Sequence, residues 1–217
     1  MNKEKLTLNF YTLIWIFTIG CVFGFLVEFF WFIVKWGYVQ YNQGFLYGPL
    51  QPVYGFGALL LTLLCYYLKT NKKWLIFILG FIAFGIFEHF SGWIMEYFLG
   101  AFSWDYNRVG FHLTIGKYVY LPYCFIWGLF ALVWHTLIND KLLKFFSKFK
   151  SKTYKYITIV LGIFLVFNFS LTQLAIARKI EREKSIPAND KIRIFFDKYY
   201  DDEYFAHYMP KVRLPKS

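Results

Sequence analysis

Apolar residues are concentrated in five long runs that are separated by short polar linkers. The runs cover residues 10–34, 50–68, 74–99, 120–138 and 157–177. At 1.5 Å of rise per helical residue, each run is long enough to cross a hydrocarbon layer of about 30 Å. The pattern predicts an all-α fold, a polytopic bundle of about five transmembrane helices. We expect a transmembrane domain at residues 1–177 and a polar, amphipathic C-terminal tail at residues 178–217.

The composition supports a membrane protein and accounts for the charge. Hydrophobic residues make up 58% of the chain, against about 45–50% in soluble domains. The net charge is +11, which in a soluble chain favours nucleic acid as a partner. Here no nucleic-acid-binding motif is present, and many basic residues lie in linkers, where they face the cytoplasm and anionic lipid. We therefore expect membrane lipids as partners and no nucleic acid.

Basic residues indicate the side of the membrane that each linker faces. Many lie before the first run, between the second and third runs, and between the fourth and fifth, namely Lys3, Lys5, Lys69, Lys72, Lys73, Lys141, Lys144, Lys148, Lys150, Lys152 and Lys155. The other linkers hold only Lys35, Arg108 and Lys117. The positive-inside rule therefore predicts a cytoplasmic N-terminus. One group opposes this topology, because five crossings put the basic start of the tail outside: Arg178, Lys179, Arg182 and Lys184.

Two further segments have the apolar spacing of amphipathic helices. One lies at residues 141–149, with Leu142, Phe145, Phe146 and Phe149 on one face. The other lies in the tail, with Ile192, Phe195, Phe196, Tyr199 and Tyr200 on one face. Both segments are predicted to lie flat at the lipid headgroups. For the tail, a small helix packed on the protein itself is an equal alternative.

The chain contains an internal repeat. Residues 42–59 and residues 107–132 share Asn, Gly-Phe, a second Gly, then Pro, an aromatic residue and Gly, in the same order. Each copy follows an acidic residue, Glu28 or Glu96. Since both units start on the same side, they are predicted to be parallel repeats, formed by the first and second runs and by the third and fourth.

Two runs carry a narrow stripe of small and ionisable residues. With about 100° between successive helical residues, an arc of about 100° on the third run holds Gly85, Glu88, His89, Gly92 and Glu96. An arc of about 80° on the first run holds Gly20, Gly24, Glu28, Trp31 and Lys35. Small residues let a neighbouring helix approach, so the ionisable groups are expected on protected faces.

Four residues on these stripes form the candidate substrate- or proton-binding site: Glu28, Glu88, His89 and Glu96. A charged side chain at mid-membrane costs about 2.5–3.5 kcal/mol on insertion scales, so chains keep such groups where they face a protein interior or water. We expect a buried acidic cavity between the first and third runs. It would bind a cation or cationic substrate, relay protons or perform acid–base chemistry. The alternative is structural: interhelical hydrogen bonds and a Glu–Lys pair that only fasten the bundle.

An aromatic and charged loop follows the third run. Its candidate gate residues are Trp104, Asp105, Tyr106 and Arg108. Aromatic residues are common at this depth in any case, and Asp105 and Arg108 are equally suited to pairing with each other.

Motifs for several other chemistries are missing. The stretch from Gly110 to Tyr118 resembles a phosphate-binding loop, but five residues separate its glycines instead of four, and Tyr118 stands where Ser or Thr must hold Mg²⁺. The histidines lack zinc-ligand spacing. The three cysteines lie within apolar runs and are predicted to be small buried hydrophobes. We expect no catalytic residue, no metal and no cofactor, and a protein that is not an enzyme.

Several short motifs stand in one order along the chain: GFLYGP at residues 44–49, PVYGFG at 52–57, EHFSGWIME at 88–96, WDYN at 104–107, FHL at 111–113, GK at 116–117 and WG at 127–128. Together they resemble a family of bacterial membrane proteins described as "putative ABC-transporter type IV", or CmpB-type. The resemblance covers about residues 15–137 and leaves the fifth run and the tail outside. The chain departs from the family pattern at Asn107, His112 and Lys117, where the family favours Ser, Asn and Arg.

The resemblance implies a permease in the bacterial cytoplasmic membrane that works with a separate ATPase subunit. It names no substrate and no catalytic residue. Our leading hypothesis is a small-molecule transporter or permease subunit, active as a homo-oligomer or with partners. The first alternative is an intramembrane enzyme acting on a lipid or lipid-linked substrate, with Glu88 or Glu96 as general base and His89 as its partner. The second is a non-catalytic scaffold or sensor that docks through its tail.

Overall fold

The computed structural model describes residues 8–68, 70–100, 104–107, 110 and 112–212, and its regular structure is almost entirely helical. The helices are α1 (Phe10–Trp36), α2 (Pro52–Tyr67), α3 (Lys73–Ile94), α4 (Leu121–Val133), α5 (Asn139–Ser147), α6 (Lys152–Glu183), α7 (Lys191–Tyr199) and α8 (Asp202–Tyr208). One short antiparallel hairpin joins β1 (Thr114–Ile115) to β2 (Val119–Tyr120). The predicted all-α bundle is confirmed.

Four helical segments of the described chain are long and apolar enough to cross a membrane: Phe10–Trp36, Lys73–Phe98, Leu121–Ser147 and Lys152–Glu183. The second predicted run is shorter than expected. Its helix α2 has 16 residues, a rise of about 24 Å against the hydrocarbon thickness of about 30 Å. The helix begins late because Pro52, which has no backbone N–H, occupies its first turn.

Two helical segments are continued by single π-helical turns. Met95–Leu99 extends α3, and Trp134–Ile138 joins α4 to α5. The predicted interfacial segment at residues 141–149 is therefore largely the end of the fourth spanning helix. Its Leu143 and Phe146 are buried, while Phe145 and Phe149 are exposed.

The bundle is built from two antiparallel helix pairs. Helix α1 packs on α2 and α3 packs on α4. Glycines make both approaches close, since a Cβ added at Gly20 would lie 2.8 Å from the Ala58 side chain, and one at Gly80 would lie 2.4 Å from that of Ala131. These are the pairs that the internal repeat predicts. A parallel axis relating them stays a prediction.

The main apolar core lies in the half of the bundle that contains the start of α1. It joins the start of α1, the end of α2, the start of α3 and the end of the fourth segment, through Ile16, Leu61, Ile76, Phe84, Ala131, Leu143 and Phe146. Helix α6 packs against α1, where the Trp15 indole donates to the Thr158 hydroxyl at 2.8 Å. The opposite half of the bundle carries Glu28, Glu88 and Glu96.

The C-terminal residues fold back onto the loop between α1 and α2. Helices α7 and α8 form a second apolar cluster with Leu46 of that loop and with Ala175 and Ile176 of α6. Phe196 of α7 and Tyr200, which directly follows α7, are buried there. Packing on the protein, one of the two alternatives for the tail, is thus what the structure contains, although Ile192 on the outer side of α7 remains exposed. The division into two domains stays a prediction.

Three of the four basic residues that opposed the predicted topology, Arg178, Lys179 and Arg182, have acidic partners. Arg178 binds Asp197 at 2.7 Å, and Arg182 binds the same carboxylate at 3.0 Å. Hydrogen bonds from Arg178, together with those from Arg182, hold the pKa of Asp197 below its usual range. Lys179 pairs with Glu183. The two ion pairs of Asp197 join the end of α6 to α7, whereas the Lys179–Glu183 pair lies within α6.

Candidate functional site

Glu88 is a carboxyl group buried within a membrane-spanning helix. It lies on α3, and its residue is 8% exposed. The Tyr106 hydroxyl and the Trp127 indole interact with the carboxyl. Its Oε2 atom, however, is buried and has no hydrogen-bond partner among the described residues. An unpaired buried polar group costs about 1–3 kcal/mol, so this oxygen marks a place where a ligand or a proton would gain an interaction.

A short loop carries Tyr106 to this position. The backbone N–H of Tyr106 donates to the Lys117 carbonyl at 2.9 Å, and the Trp104 indole donates to the Tyr118 carbonyl at 3.2 Å. These bonds hold residues 104–107 along the hairpin that precedes α4. Burial, followed by the negative charge of Glu88, raises the pKa of Tyr106. The hydroxyl is therefore protonated and can donate to the carboxyl.

Glu28 lies on α1 and has two partners. The Lys211 ammonium lies 2.6 Å from its Oε2 atom, and the Tyr54 hydroxyl interacts with the same carboxyl. Tyr54 is fixed by Gly24, since a Cβ at position 24 would lie 2.1 Å from the tyrosine ring. The Tyr54 ring also lies 5.9 Å from the ring of Trp127. The Glu28 side chain is 15% exposed.

Tyrosines connect the two acids. Tyr54 on α2 and Tyr123 on α4 each lie within electrostatic range of both Glu28 and Glu88. The Tyr123 ring in turn lies 5.7 Å from that of Tyr106. We call this group the acidic–tyrosine site, and it consists of Glu28, Tyr54, Glu88, Tyr106, Tyr123 and Trp127. The connection between Glu28 and Glu88 runs through α2 and α4, because α1 packs mainly on α2 and α3 on α4.

Glu96 has a different environment. It lies on the π-helical turn after α3 and binds the Lys117 ammonium at 2.6 Å and the Tyr118 hydroxyl. The side chain is 28% exposed. The packing seen near Glu28 recurs here. Gly92 lies four residues before Glu96, and the Tyr118 ring packs directly on its backbone. With a cationic partner and partial exposure, Glu96 fits the structural alternative of a Glu–Lys pair better than Glu88 does.

The remaining predicted site residues are spread around this region. His89 is exposed on α3, and its ring meets that of Tyr118 at 5.9 Å between centroids. Its side chain leaves the helix about 100° away from that of the buried Glu88. Asp105 accepts from the backbone N–H of Asn107 at 3.1 Å. Arg108 lies outside the described residues, so its pairing with Asp105 stays a prediction.

A cleft of about 350 Å³ lies at the other end of α1. It is lined by Asn9, Tyr11, Phe149, Lys150, Tyr154 and Lys155. Nineteen residues separate Asn9 from Glu28, a helical rise of about 28 Å. This cleft is thus remote from the acidic–tyrosine site, and the predicted cavity between the first and third runs stays a prediction. Within the described chain, no three His, Cys, Asp or Glu side chains are grouped to hold a metal ion.

Sequence reasoning missed four partners of Glu28 and Glu88. Tyr54 and Tyr123 lie within the two repeated motifs, close to Pro52 and Pro122. Their place in the repeat is the sequence feature that could have identified them. Trp127 also belonged to a recognised motif. No sequence pattern pointed to Lys211, because it lies 183 positions from Glu28 along the chain.

Comparison with known proteins gives one match. The family model described as "Putative ABC-transporter type IV" matches residues 15–173. The match extends beyond the expected limit near residue 137 and takes in most of α6, while the tail lies outside it. Neither the comparison with curated proteins nor that with solved structures found a match.

Proposed function

The chain belongs to the family described as "Putative ABC-transporter type IV", and from this premise we propose that it is the membrane-embedded permease subunit of a small-molecule transporter. Four long apolar helices and the shorter α2 form its membrane part. The proposed location is the bacterial cytoplasmic membrane, with the N-terminus in the cytoplasm. A separate ATPase subunit, bound on the cytoplasmic side, would supply energy, and the permease would act as a homo-oligomer or with that partner.

The acidic–tyrosine site is the proposed substrate position. The observation that carries this assignment is the buried Oε2 atom of Glu88, which lacks a hydrogen-bond partner in the described chain. Ionisable groups inside membrane segments mark substrate, ion or proton paths as a rule. Tyr106 and Trp127 orient the carboxyl, and Tyr123, which is 39% exposed, lies where the site meets the surface. In this proposal Glu28 is the second acid of the site, and His89 and Glu96 follow Glu88 along the same helical segment.

Uptake by membrane vesicles tests the role of Glu88 without a known substrate. Vesicles from cells expressing the wild type or Glu88→Gln are incubated with a metabolite extract, and the accumulated compounds are identified by mass spectrometry. A charge-assisted hydrogen bond contributes about 1.5–3 kcal/mol, so we expect accumulation of the transported compound to fall about ten- to a hundredfold. Glu203→Gln, at an exposed position on α8, is the matched control.

Equal accumulation in Glu88→Gln and wild-type vesicles, at equal protein abundance, would contradict the assignment. The same vesicles prepared with and without ATP on the N-terminal side test the ATPase partner. Accumulation that is unchanged without ATP would exclude that partner as the energy source.

A further inference from the structure

The tail closes over the side of the acidic–tyrosine site that contains Glu28. Its backbone and hydroxyl groups bind the loop between α1 and α2: the Gln43 N–H donates to the Tyr208 carbonyl at 2.8 Å, and the Tyr204 hydroxyl donates to the Leu46 carbonyl at 2.7 Å. Beyond α8 the chain turns, with the Val212 N–H donating to the Met209 carbonyl at 3.0 Å. This turn brings Lys211 to Glu28.

The Lys211 ammonium is held as a bound ligand would be. It lies 2.6 Å from the Glu28 Oε2 atom and 5.9 Å from the centroid of the Phe32 ring. A carboxylate on one side and an aromatic face on another are the groups that recognise an alkylammonium ion. The neighbouring Tyr54 hydroxyl completes the polar surroundings of the carboxylate.

The two partners of this ion pair differ in how firmly they are held. Glu28 lies on a membrane-spanning helix and is 15% exposed, whereas the Lys211 side chain is 38% exposed and follows the last helix of the tail. The tail also lies outside the part of the chain that matches the family. Lysine is therefore the partner that can leave, and its departure would free the half-buried carboxylate of Glu28, which Tyr54 and Tyr123 connect to Glu88.

We propose that the acidic–tyrosine site binds a small molecule with a primary ammonium group, and that Lys211 occupies the place of this group while the tail is closed. The inference rests on the proposed permease function and gives its substrate a chemical class. Release of the tail is then a condition for binding, and the apparent affinity falls with the fraction of molecules in which the tail is closed.

Binding of simple alkylammonium ions tests the proposal directly. Purified protein in detergent is titrated calorimetrically with methylammonium, butylammonium and hexylammonium chloride. Lys211→Met removes the competing ammonium, so we expect binding about tenfold tighter than in the wild type. Lys198→Met, at an exposed lysine of α7, is the matched control and should bind as the wild type does. Equal affinity in Lys211→Met and wild type would overturn the role of the tail.

A disulfide bond between the tail and the loop that joins α1 to α2 would hold the tail closed. It tests whether release of the tail is needed for alkylammonium binding. Residues 43 and 208 share a backbone hydrogen bond, so their Cα atoms lie close enough for Gln43→Cys and Tyr208→Cys to be bridged. The native cysteines of the described chain are buried and can stay. Oxidation should abolish alkylammonium binding and dithiothreitol should restore it, whereas the single-cysteine variants should not respond. Binding that persists in the oxidised pair would contradict the proposal.

A charge exchange separates the ligand class from the permease function. In the double variant Glu28→Lys with Lys211→Glu, the ion pair is restored in reverse, so amide exchange of the tail should stay slow while alkylammonium binding is lost. If no variant, with the tail released or closed, binds any of the three ions, the ammonium class is wrong. The vesicle experiment with Glu88→Gln is independent of this result and decides the permease assignment by itself.

Discussion

The glycine at position 24 determines where the Tyr54 ring can lie. Because Gly24 has no side chain, the Tyr54 ring packs directly on the backbone of α1 and its hydroxyl interacts with Glu28. Gly92 and Tyr118 repeat the arrangement beside Glu96. At the scale of residues, Glu28 and Glu96 are thus each supported by a glycine four positions earlier and by a tyrosine from another element.

We predict that Gly24→Ala destabilises the bundle by about 1–3 kcal/mol, because its Cβ overlaps the Tyr54 ring in a packed interface. The measurement is chemical unfolding in detergent, followed by tryptophan fluorescence. Gly162→Ala on α6 is the matched control, since its Cβ would meet only the flexible end of Ile14 at 3.0 Å, and alanine favours the helix. Equal stability of the two variants would contradict the packing described for Gly24.

At the scale of elements, α6 is the support of the loop between α1 and α2. The Asn168 side chain accepts from the Tyr47 N–H at 3.1 Å and donates to the Tyr47 carbonyl at 2.7 Å. One turn later, the Thr172 hydroxyl accepts from the Leu46 N–H at 3.0 Å. Buried polar groups on a spanning helix therefore satisfy the backbone of a loop, which in turn receives the tail.

We predict that Asn168→Leu lowers the free energy of unfolding by about 2–4 kcal/mol, because it removes both hydrogen bonds that the fully buried Asn168 makes to the Tyr47 backbone and leaves that N–H and carbonyl without these partners. It should also make the tail more sensitive to protease, since α8 packs on the same loop. Ser170→Ala serves as control: Ser170 is exposed and bonds only within its own helix, so its effect should stay within about 0.5 kcal/mol. Equal protease sensitivity in Asn168→Leu and the control would refute the supporting role.

At the scale of the whole molecule, the contact between the tail and the first loop restricts the topology. The loop follows α1 and the tail follows α6, and four helical segments lie between them. The two can meet on one side of the membrane only if an even number of these segments cross. The short α2 is therefore expected to cross together with the three longer segments, which gives five crossings in total.

We predict that the tail and the linker between α2 and α3 lie on opposite sides of the membrane. Alkaline phosphatase fused after residue 217 should be active and a fluorescent protein fused there should be dark, because the tail lies outside. The same reporters placed after Thr70 should show the reverse, since the lysines of that linker favour the cytoplasm. A fluorescent fusion after residue 217 would show that the number of crossings is even or that the orientation is inverted.

Much of the candidate site was within reach of local sequence patterns. The stripe on α3 predicted a protected face for Glu88, and the structure buries it. The same stripe predicted protection for His89, which is exposed instead, because a face of about 100° is wider than the contact that α4 makes. The partners Tyr54, Tyr123 and Trp127 come from other helices, and no periodicity within one helix specifies which aromatic ring meets which acid.

Composition and periodicity alone determined that this chain forms membrane helices, since about 30 Å of hydrocarbon requires long apolar runs whose backbone groups bond internally. The acidic residues within those runs also marked the site, because their desolvation is costly wherever the helices pack. Only the tertiary structure decided that Tyr54 meets Glu28, that the tail covers the first loop and that Lys211 reaches Glu28. Those contacts join residues up to 183 positions apart. Which residues meet depends on the complementary shape and charge of helices and loops that are already formed.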